Sequence, residues 1–314
     1  MEKFSKWRDN GTGIAPYLPH AKSKSYGLSS GTLGAKIDTP ISLILGIVRI
    51  PVLLVFLLLH ILIFQWNPVC RRLSLSACLY ATGVWWWEIG VERIRKSTSN
   101  QKFNAKLPKS GDVIISTFTS PLDPLIYSTM YDSIFVIPQV TSTGTVFTPL
   151  GLFDTMAAAV SLPESNSHKG SYKLEEIMAK ASRVKKVIVV FMEGTTSSGR
   201  ALLPFVPLPS NEPLAIPGQS KIYPVAIKYN PPNITTPIPT HLFTWAWTLI
   251  SQSSGWSVRF RVADAVDPAS TKDIMGTIAE SLTRVGRIRK VGDSLNIQGK
   301  RDFVQAWNNN IRKG

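Results

Sequence analysis

The sequence predicts a mixed α/β fold, in which a mostly parallel sheet is flanked by helices and preceded by a membrane-embedded helical hairpin. After residue 110, short β-branched segments alternate with helical ones, as in parallel-sheet proteins. A long apolar run precedes them. Charged residues make up 18% of the chain, below the roughly 25% of soluble domains. Hydrophobic residues make up 44%, which excludes a disordered chain.

The most apolar part of the chain is residues 41–65, with one Arg and one His among its 25 residues. A helix of this length can cross a hydrocarbon core of about 30 Å. A weaker apolar stretch, residues 73–91, contains the tryptophans at 85–87, and tryptophan favours the membrane interface. We therefore predict a membrane hairpin over residues 40–92. The alternative is a buried pair of core helices in a soluble protein.

The net charge of +15 calls for an anionic partner, either nucleic acid or anionic lipid. Basic residues lie on both sides of the apolar region, and residues 92–109 carry six of them against one Glu. The positive-inside tendency then places both flanks in the cytosol. The chain shows no recognisable nucleic-acid module. Its two cysteines, Cys70 and Cys78, are too few for a disulfide framework or a four-ligand zinc site.

The α/β part follows from hydrophobic periodicity. Buried strands are predicted at 112–116, 133–140, 186–191, 222–229 and 258–262, and helices from 122 to 130, within 145–160, at 173–185 and at 271–290, the last one exposed and basic. The resulting domain organisation is a cytosolic segment (1–39), the hairpin (40–92), the α/β domain (93–270) and a basic helical tail (271–314).

A polar loop directly follows the predicted strand at 186–191. Backbone N–H and hydroxyl donors after a parallel strand can hold a phosphate, and an arginine can add a charge-assisted contact. The string FMEGTTSSGRALLPF resembles the FPEGT block of the glycerolipid (lysophospholipid) acyltransferase family. The resemblance implies acceptor and phosphate binding by Glu193, Gly194, Thr195, Thr196 and Arg200.

That family also carries a His-x4-Asp motif about 70 residues upstream. Here Asp123 is present, but Phe118 stands at the histidine position. In the family the imidazole takes the proton of the acceptor hydroxyl, which phenylalanine cannot do. Asp123 is then the candidate base, with Thr119 or Ser120 arranging a water; its alternative role is to cap the following helix. The histidines, predicted as ordinary loop, interfacial or membrane-end residues, are His20, His60, His168 and His241.

Two weaker motifs complete the resemblance. Gly144 and Phe147 match a Gly-x-x-Phe-x-x-Arg block whose arginine position is Leu150, and Pro224 matches a later apolar block with a proline on a strand. Because a leucine at position 150 cannot bind a phosphate as the arginine would, a cation elsewhere in the chain has to make that contact. The candidates are Arg200, Lys221 and Lys228.

Residues 7–19 resemble the N-terminus of the fungal endoplasmic-reticulum and lipid-droplet branch of the family. The resemblance implies a membrane-bound enzyme that moves a fatty acyl chain from acyl-CoA to lysophosphatidic acid, giving phosphatidic acid. Its catalytic domain would face the cytosol at those two membranes. Acyl-CoA is the expected co-substrate, lysophospholipid and membrane lipids are the partners, and neither a metal nor a prosthetic group is expected. The alternative is a member with weakened or lost catalysis that acts as a lipid-binding or scaffold protein there.

Overall fold

The computed structural model describes residues 2–20, 32–64, 67–92, 106–141, 144–163, 172, 174–208, 220–252, 255–268, 271 and 273–311. The helices are α1 (Thr32–Leu59), α2 (Pro68–Ala81), α3 (Leu122–Met130), α4 (Leu152–Val160), α5 (Leu174–Arg183), α6 (Leu242–Ile250), α7 (Ile274–Gly286) and α8 (Ile297–Ile311). The strands are β1 (Val84–Val91), β2 (Val113–Ser116), β3 (Ser133–Thr141), β4 (Gly144–Leu150), β5 (Val187–Val190), β6 (Ala201–Leu202), β7 (Ile222–Asn230), β8 (Trp256–Val262) and β9 (Arg289–Lys290).

Seven strands form the central sheet in the order β1-β8-β7-β2-β5-β3-β4. Of the six pairings described in it, four are parallel, and only β7 with β8 and β3 with β4 are antiparallel. The mostly parallel sheet predicted from the sequence is therefore confirmed. Since β2, β5 and β7 are parallel neighbours, the loops after them meet at one edge of the sheet, where α/β proteins build their sites.

Both faces of the sheet are covered, which explains the near-continuous β-branched runs of its central strands. One face packs against α2, α3, α4 and α6, and the other against α5 and α7. Every residue of β2 and of β5 is buried. Burying each Val or Ile side chain stabilises the fold by about 1.5–3 kcal/mol, so these two strands anchor the site that follows them.

The prediction that the second arm of the hairpin is helical is wrong beyond residue 81. The segment 73–91 divides at Gly83, whose φ of +98° turns the chain, and residues 84–91 then form β1 at the edge of the sheet. The Trp256 amide donates to the Gly83 carbonyl at 3.0 Å and starts the parallel pairing of β1 with β8. Aromatic and β-branched residues favour a strand where an edge is open to pairing. The run of tryptophans therefore belongs to the sheet.

The helix predicted within 145–160 is confined to α4, because the residues before it form β4. This strand pairs antiparallel with β3 across the whole of its length. The sequence pattern does not predict β4.

The two chain ends pack against each other and against the α/β part of the chain. α7 buries Ile278 and Leu282 completely against the sheet, so the helix predicted as exposed is amphipathic. α8 packs on the N-terminal residues, and the ring of Phe303 lies 5.6 Å from that of Phe4 and 5.7 Å from that of Tyr17. Contacts between residues almost 300 positions apart leave no local sequence signal.

The apolar stretch Leu43–Leu62 covers most of α1 and continues into the helical turn His60–Phe64 that follows it; it has a mean hydropathy of 2.6 and is 11% buried. Within the described ranges it is the one helix long and apolar enough to cross a membrane. It packs against α2, and the Arg49 guanidinium donates to the carbonyls of Ile250 and Gln252 at 2.9 and 3.0 Å. α2 has 14 residues and a length of about 21 Å, too short to span a bilayer.

Candidate functional site

The residues of the two main motifs meet at the carboxyl ends of β2 and β5. Glu193 follows β5, and its carboxylate accepts a hydrogen bond from the Phe118 amide, which follows β2, at 3.3 Å. The Ser197 amide donates in turn to the Phe118 carbonyl at 3.0 Å. Residues about 75 positions apart in the chain thus form one site because their strands are parallel neighbours.

Phe118 fills the histidine position with an aromatic core residue. Its ring is 1% exposed and stacks on the ring of Phe191, with centroids 4.3 Å apart and planes at 23°. Such an offset stack is a hydrophobic contact. The phenyl group is therefore packed into the core beneath the site, and it offers no group that could receive a proton.

Asp123 is completely buried, in the first turn of α3. Its Oδ2 accepts from the amides of Thr119 at 2.7 Å and Ser120 at 3.0 Å, and its Oδ1 accepts from the Tyr229 hydroxyl. Burial raises the pKa of Asp123 to about 6, against these hydrogen bonds, which lower it. Because donors engage both oxygens, the carboxylate ties the turn before α3 to β7. This geometry fits a positioning role better than that of a base. The alternative of a helix cap is wrong, because α3 has Pro121 at its N-cap and no side-chain cap hydrogen bond.

Glu193 is also buried, and it lies near a cation that no sequence motif predicts. Burial raises the pKa of Glu193 to about 8, and the charge of Lys300 opposes that rise. The Lys300 ammonium comes from α8, is completely buried, and donates to the carbonyl and the hydroxyl of Thr196, the latter at 2.9 Å. Burial lowers the pKa of Lys300 to about 7. Lys300 lies in no motif, so only the packing of α8 reveals it.

We call residues 193–200 the motif loop. From Glu193 to Ser198 every side chain is buried, whereas Arg200 is exposed. Gly194 has a φ of +63°, and a Cβ there would lie 2.7 Å from Ile297 Cδ1, so this position requires glycine. Within the described part of the chain, the hydroxyls of Thr195 and Ser198 have no hydrogen-bond partner. The predicted phosphate-binding donors are thus covered, except at the Arg200 end of the loop.

The N-terminal segment supplies the cover and brings a histidine to the motif loop. The Ser198 amide donates to the Pro16 carbonyl at 2.8 Å, and His20 Nε2 lies 2.7 Å from the Ser198 carbonyl. Since a carbonyl can only accept, we assign the proton to Nε2, which leaves Nδ1 to accept from Arg200 at 3.1 Å. Burial, helped by the charge of Arg200, lowers the pKa of His20. The sequence predicts only an ordinary loop, interfacial or membrane-end residue at this position.

The remaining predicted residues lie further away. Gly144, Phe147 and Leu150 lie on β4, the opposite edge strand from β1, and Phe147 is buried there. Pro224 lies within β7 and pairs with Ile115 of β2. Lys221 precedes β7, at the amino end of the strand, so it is not brought to the site. Lys228, near the carboxyl end of β7, is close to the site.

Comparison with known proteins supports the resemblance. No family model matches the chain. The chain is 28% identical over 305 residues, 93% of its length, to a Schizosaccharomyces pombe protein provisionally named lysophosphatidic acid:oleoyl-CoA acyltransferase, of which it covers 94%. It is 27% identical over 333 residues to lysophosphatidic acid:oleoyl-CoA acyltransferase 1 of Saccharomyces cerevisiae, covering 100% of the chain and 99% of that protein. The predicted resemblance to the fungal branch is confirmed.

Among solved structures, the crystal structure of the 1-acyl-sn-glycerophosphate acyltransferase of Thermotoga maritima aligns with a TM-score of 0.40 and 12% sequence identity. The alignment covers 80% of this chain and 95% of the bacterial one.

Proposed function

We propose that the protein is a membrane-bound acyltransferase that moves a fatty acyl chain from acyl-CoA to lysophosphatidic acid and forms phosphatidic acid. The observation that carries this proposal is the full-length similarity to two fungal proteins named for that reaction. The motif loop supports it, because Arg200 and the loop residues lie at the carboxyl edge of a parallel sheet. The reaction uses acyl-CoA as co-substrate and calls for no metal or prosthetic group.

In this reaction the acceptor hydroxyl attacks the thioester carbonyl, the C–S bond breaks, and the hydroxyl proton ends on the departing CoA sulfur. A positioned base contributes about 10²–10⁴-fold to such a step, and Phe118 cannot supply it. Holding the two substrates in line can contribute about 7–11 kcal/mol without a base. Donors aimed at the developing oxyanion add to this. We therefore attribute the rate acceleration chiefly to positioning of the two substrates, in which Arg200 binds the phosphate of the acceptor.

Topology supports embedding of the helices from one side of the membrane. The N-terminal residues contact the α/β domain through Pro16 and Phe4, and α2 packs on the sheet of that same domain. Irregular backbone cannot cross hydrocarbon exposed to lipid. The chain before α1 and the chain after α2 therefore lie on one side of the membrane, and α1 with α2 would form a hairpin inserted from that side. We place this hairpin in the endoplasmic-reticulum and lipid-droplet surfaces, with the domain in the cytosol.

Alkaline carbonate tests the membrane part of the proposal. The intact protein should stay with the membranes, because an embedded apolar helix is held by far more burial than surface charge provides. Replacing the exposed Leu54 and Leu58 of α1 by Glu should release it. The control is Val184→Glu, which places the same charge at an apolar residue 52% exposed outside α1. Full extraction of the intact protein would exclude an embedded hairpin.

The second candidate is a lipid-binding or scaffold protein with little or no catalysis. Three observations favour it: an aromatic core residue at position 118, an Asp123 carboxylate with both oxygens engaged, and a motif loop that is largely covered. Each of them argues against proton transfer by a side chain at this site. None of them affects the exposed surface around Arg200. Lipid binding could therefore persist without turnover.

The deciding experiment is an acyl-transfer assay on the purified full-length protein in nanodiscs. Oleoyl-CoA is offered with lysophosphatidic acid or with other lysophospholipids, and CoA release and lipid product are both measured. We expect phosphatidic acid to form and Arg200→Ala to reduce the rate, while Arg183→Ala, an exposed arginine on α5, has no effect. Absence of transfer to every acceptor, with lysolipid binding intact, would establish the scaffold alternative.

A further inference from the structure

A cluster of cations lies on the face of the sheet that α7 covers. β7 and β8 are antiparallel, and Lys228 pairs with Arg259 while Ala226 pairs with Arg261. Along β8, residues 258, 260 and 262 are buried in the opposite face, so Arg259 and Arg261 extend to the same side as Lys228. We call Lys228, Arg259, Arg261 and Arg287 the basic patch.

The end of α7 brings the fourth cation over β7. Gly286 lies so close to β7 that a Cβ there would be 3.1 Å from Ala226 Cβ. Arg287 follows with a φ of 47°, and its carbonyl accepts a hydrogen bond from the Lys228 ammonium at 3.2 Å. The close approach of helix and strand therefore fixes the spacing between Arg287 and Lys228.

The patch carries more positive than negative charge. Glu88 on β1 approaches Arg259, with Nε and Oε2 3.7 Å apart. The half-buried Lys228 has a pKa lowered by burial and then by the charges of Arg261, Arg287 and Arg259. Like charges gathered on a half-buried surface raise the energy of the free protein. An anion bound among them would relieve that repulsion.

A small pocket beside Lys228 of the basic patch reaches the motif loop. Its lining includes Thr117, Thr119, Ser197, Gly199, Lys228 and Gly286. Lys228 thus belongs both to the patch and to a depression that reaches the open end of the loop, next to Arg200. A ligand whose anionic group binds on the patch at Lys228 can extend another part past this pocket toward the site.

Position favours the acyl donor over the acceptor as the ligand. Leu150, which stands at the family's arginine position, lies on β4. Three strands separate β4 from β7, and neighbouring strands are about 4.8 Å apart. The patch is therefore too far away to replace that arginine. α1, α2 and α6 pack toward the other face of the sheet, which turns the patch away from membrane headgroups. Four cations suit a polyanion, and CoA carries a 3′-phosphate and a diphosphate. We infer that the basic patch binds the phosphate groups of acyl-CoA, an inference that rests on the proposed function.

Binding of free CoA to the full-length protein, measured by calorimetry without turnover, tests this inference. Arg261→Gln and Arg287→Gln should each weaken CoA about tenfold, the usual cost of a lost charge-assisted hydrogen bond. Dephospho-CoA should bind less tightly than CoA, and added salt should weaken CoA more than dephospho-CoA. The matched control is Arg183→Gln, which removes one exposed charge from α5 and should leave CoA binding unchanged.

Each result has a distinct meaning. Equal CoA affinity in the wild type and the Arg261→Gln/Arg287→Gln double variant would overturn the inference, and so would the absence of CoA binding to the wild type. Weakened lysophosphatidic acid binding with CoA binding intact would assign the patch to the acceptor and overturn it too. Patch-dependent CoA binding without acyl transfer would leave the inference standing while the proposed function failed. The salt and dephospho-CoA comparisons use unaltered protein, so they hold even if a variant folds poorly.

Discussion

The Lys300 ammonium donates to both the carbonyl and the hydroxyl of Thr196, and this contact fastens the C-terminal helix to the centre of the motif loop. Neither residue is accessible to solvent. The nearby Glu193 carboxylate is the group whose charge raises the pKa of Lys300 against burial. A cation from the end of the chain thus helps to hold the loop that the resemblance implicates in substrate binding.

Lys300→Met should destabilise the fold, because it leaves the Thr196 carbonyl without its donor in a buried position. An unsatisfied buried group costs about 1–3 kcal/mol, which should lower the Tm of the purified protein by several degrees. Lys290→Met, at an exposed lysine of β9, is the control and should leave the Tm unchanged. Equal Tm values for the two variants would show that the Lys300 contact contributes no net stability.

The contribution of Glu193 to stability should fall as the pH rises from about 4.5 to about 8. The pKa of Glu193 is raised from 4.5 to about 8 by burial, so the folded protein binds its proton more tightly than the unfolded chain does. That contribution is complete below the unfolded pKa and is lost as the pH rises through the folded one. Urea unfolding between pH 5 and 8 measures it. Glu193→Gln should flatten this slope, and a variant slope as steep as that of the wild type would contradict the assignment.

Asp123→Ala should reduce stability more than Tyr229→Phe does. The first change removes the acceptor of the Thr119 and Ser120 amides and of the Tyr229 hydroxyl, whereas the second removes one donor and leaves no bulky cavity. We expect a loss of about 2–4 kcal/mol for the first and about 1 kcal/mol for the second, measured by urea unfolding. If Asp123→Ala were instead as stable as the wild type and inactive in acyl transfer, Asp123 would be a base and not a positioning residue.

Phe118→His should lower stability without raising the rate of acyl transfer. The new imidazole would lie against Phe191 in the core, where burial costs a polar ring and where both Asp123 oxygens already accept from other donors. Phe118→Leu is the matched control, because it shortens the side chain and keeps it apolar. Thermal unfolding and turnover are measured on both variants. A rate increase of about 10²-fold in Phe118→His would show that the site has kept the room for the missing base.

His20→Ala should raise the KM for the lysolipid acceptor more than it lowers kcat, because His20 orients the Arg200 guanidinium without reaching the reacting atoms. Arg200→Ala should have the same effect, and the double variant should add little to either change, since the two residues act through one contact. The control is His241→Ala, an exposed histidine before α6 that makes no side-chain cap. Fully additive effects of His20→Ala and Arg200→Ala would show that the two act independently.

The local sequence predicted the central strands and the residues directly after them. β2 and β5 are short, β-branched and buried on both faces, so periodicity and composition suffice to find them. Parallel pairing then requires Phe118 and Glu193 to lie at one edge. β1 was missed because its aromatic residues, read next to an apolar segment, also match a membrane interface. Only the open edge of β8, to which β1 pairs, shows that these residues form a strand and not a membrane-interface segment.

By itself, the sequence determined the mostly parallel sheet, the apolar N-terminal helix, the motif loop after β5 and the loss of the imidazole at Phe118. The tertiary structure decided which partners those residues have. His20 and Lys300 reach the motif loop from opposite ends of the chain, and the basic patch forms where α7 closes on β7 and β8. Contacts across such separations depend on how whole elements pack, because burial of their apolar faces, and not any local pattern, brings these polar groups together.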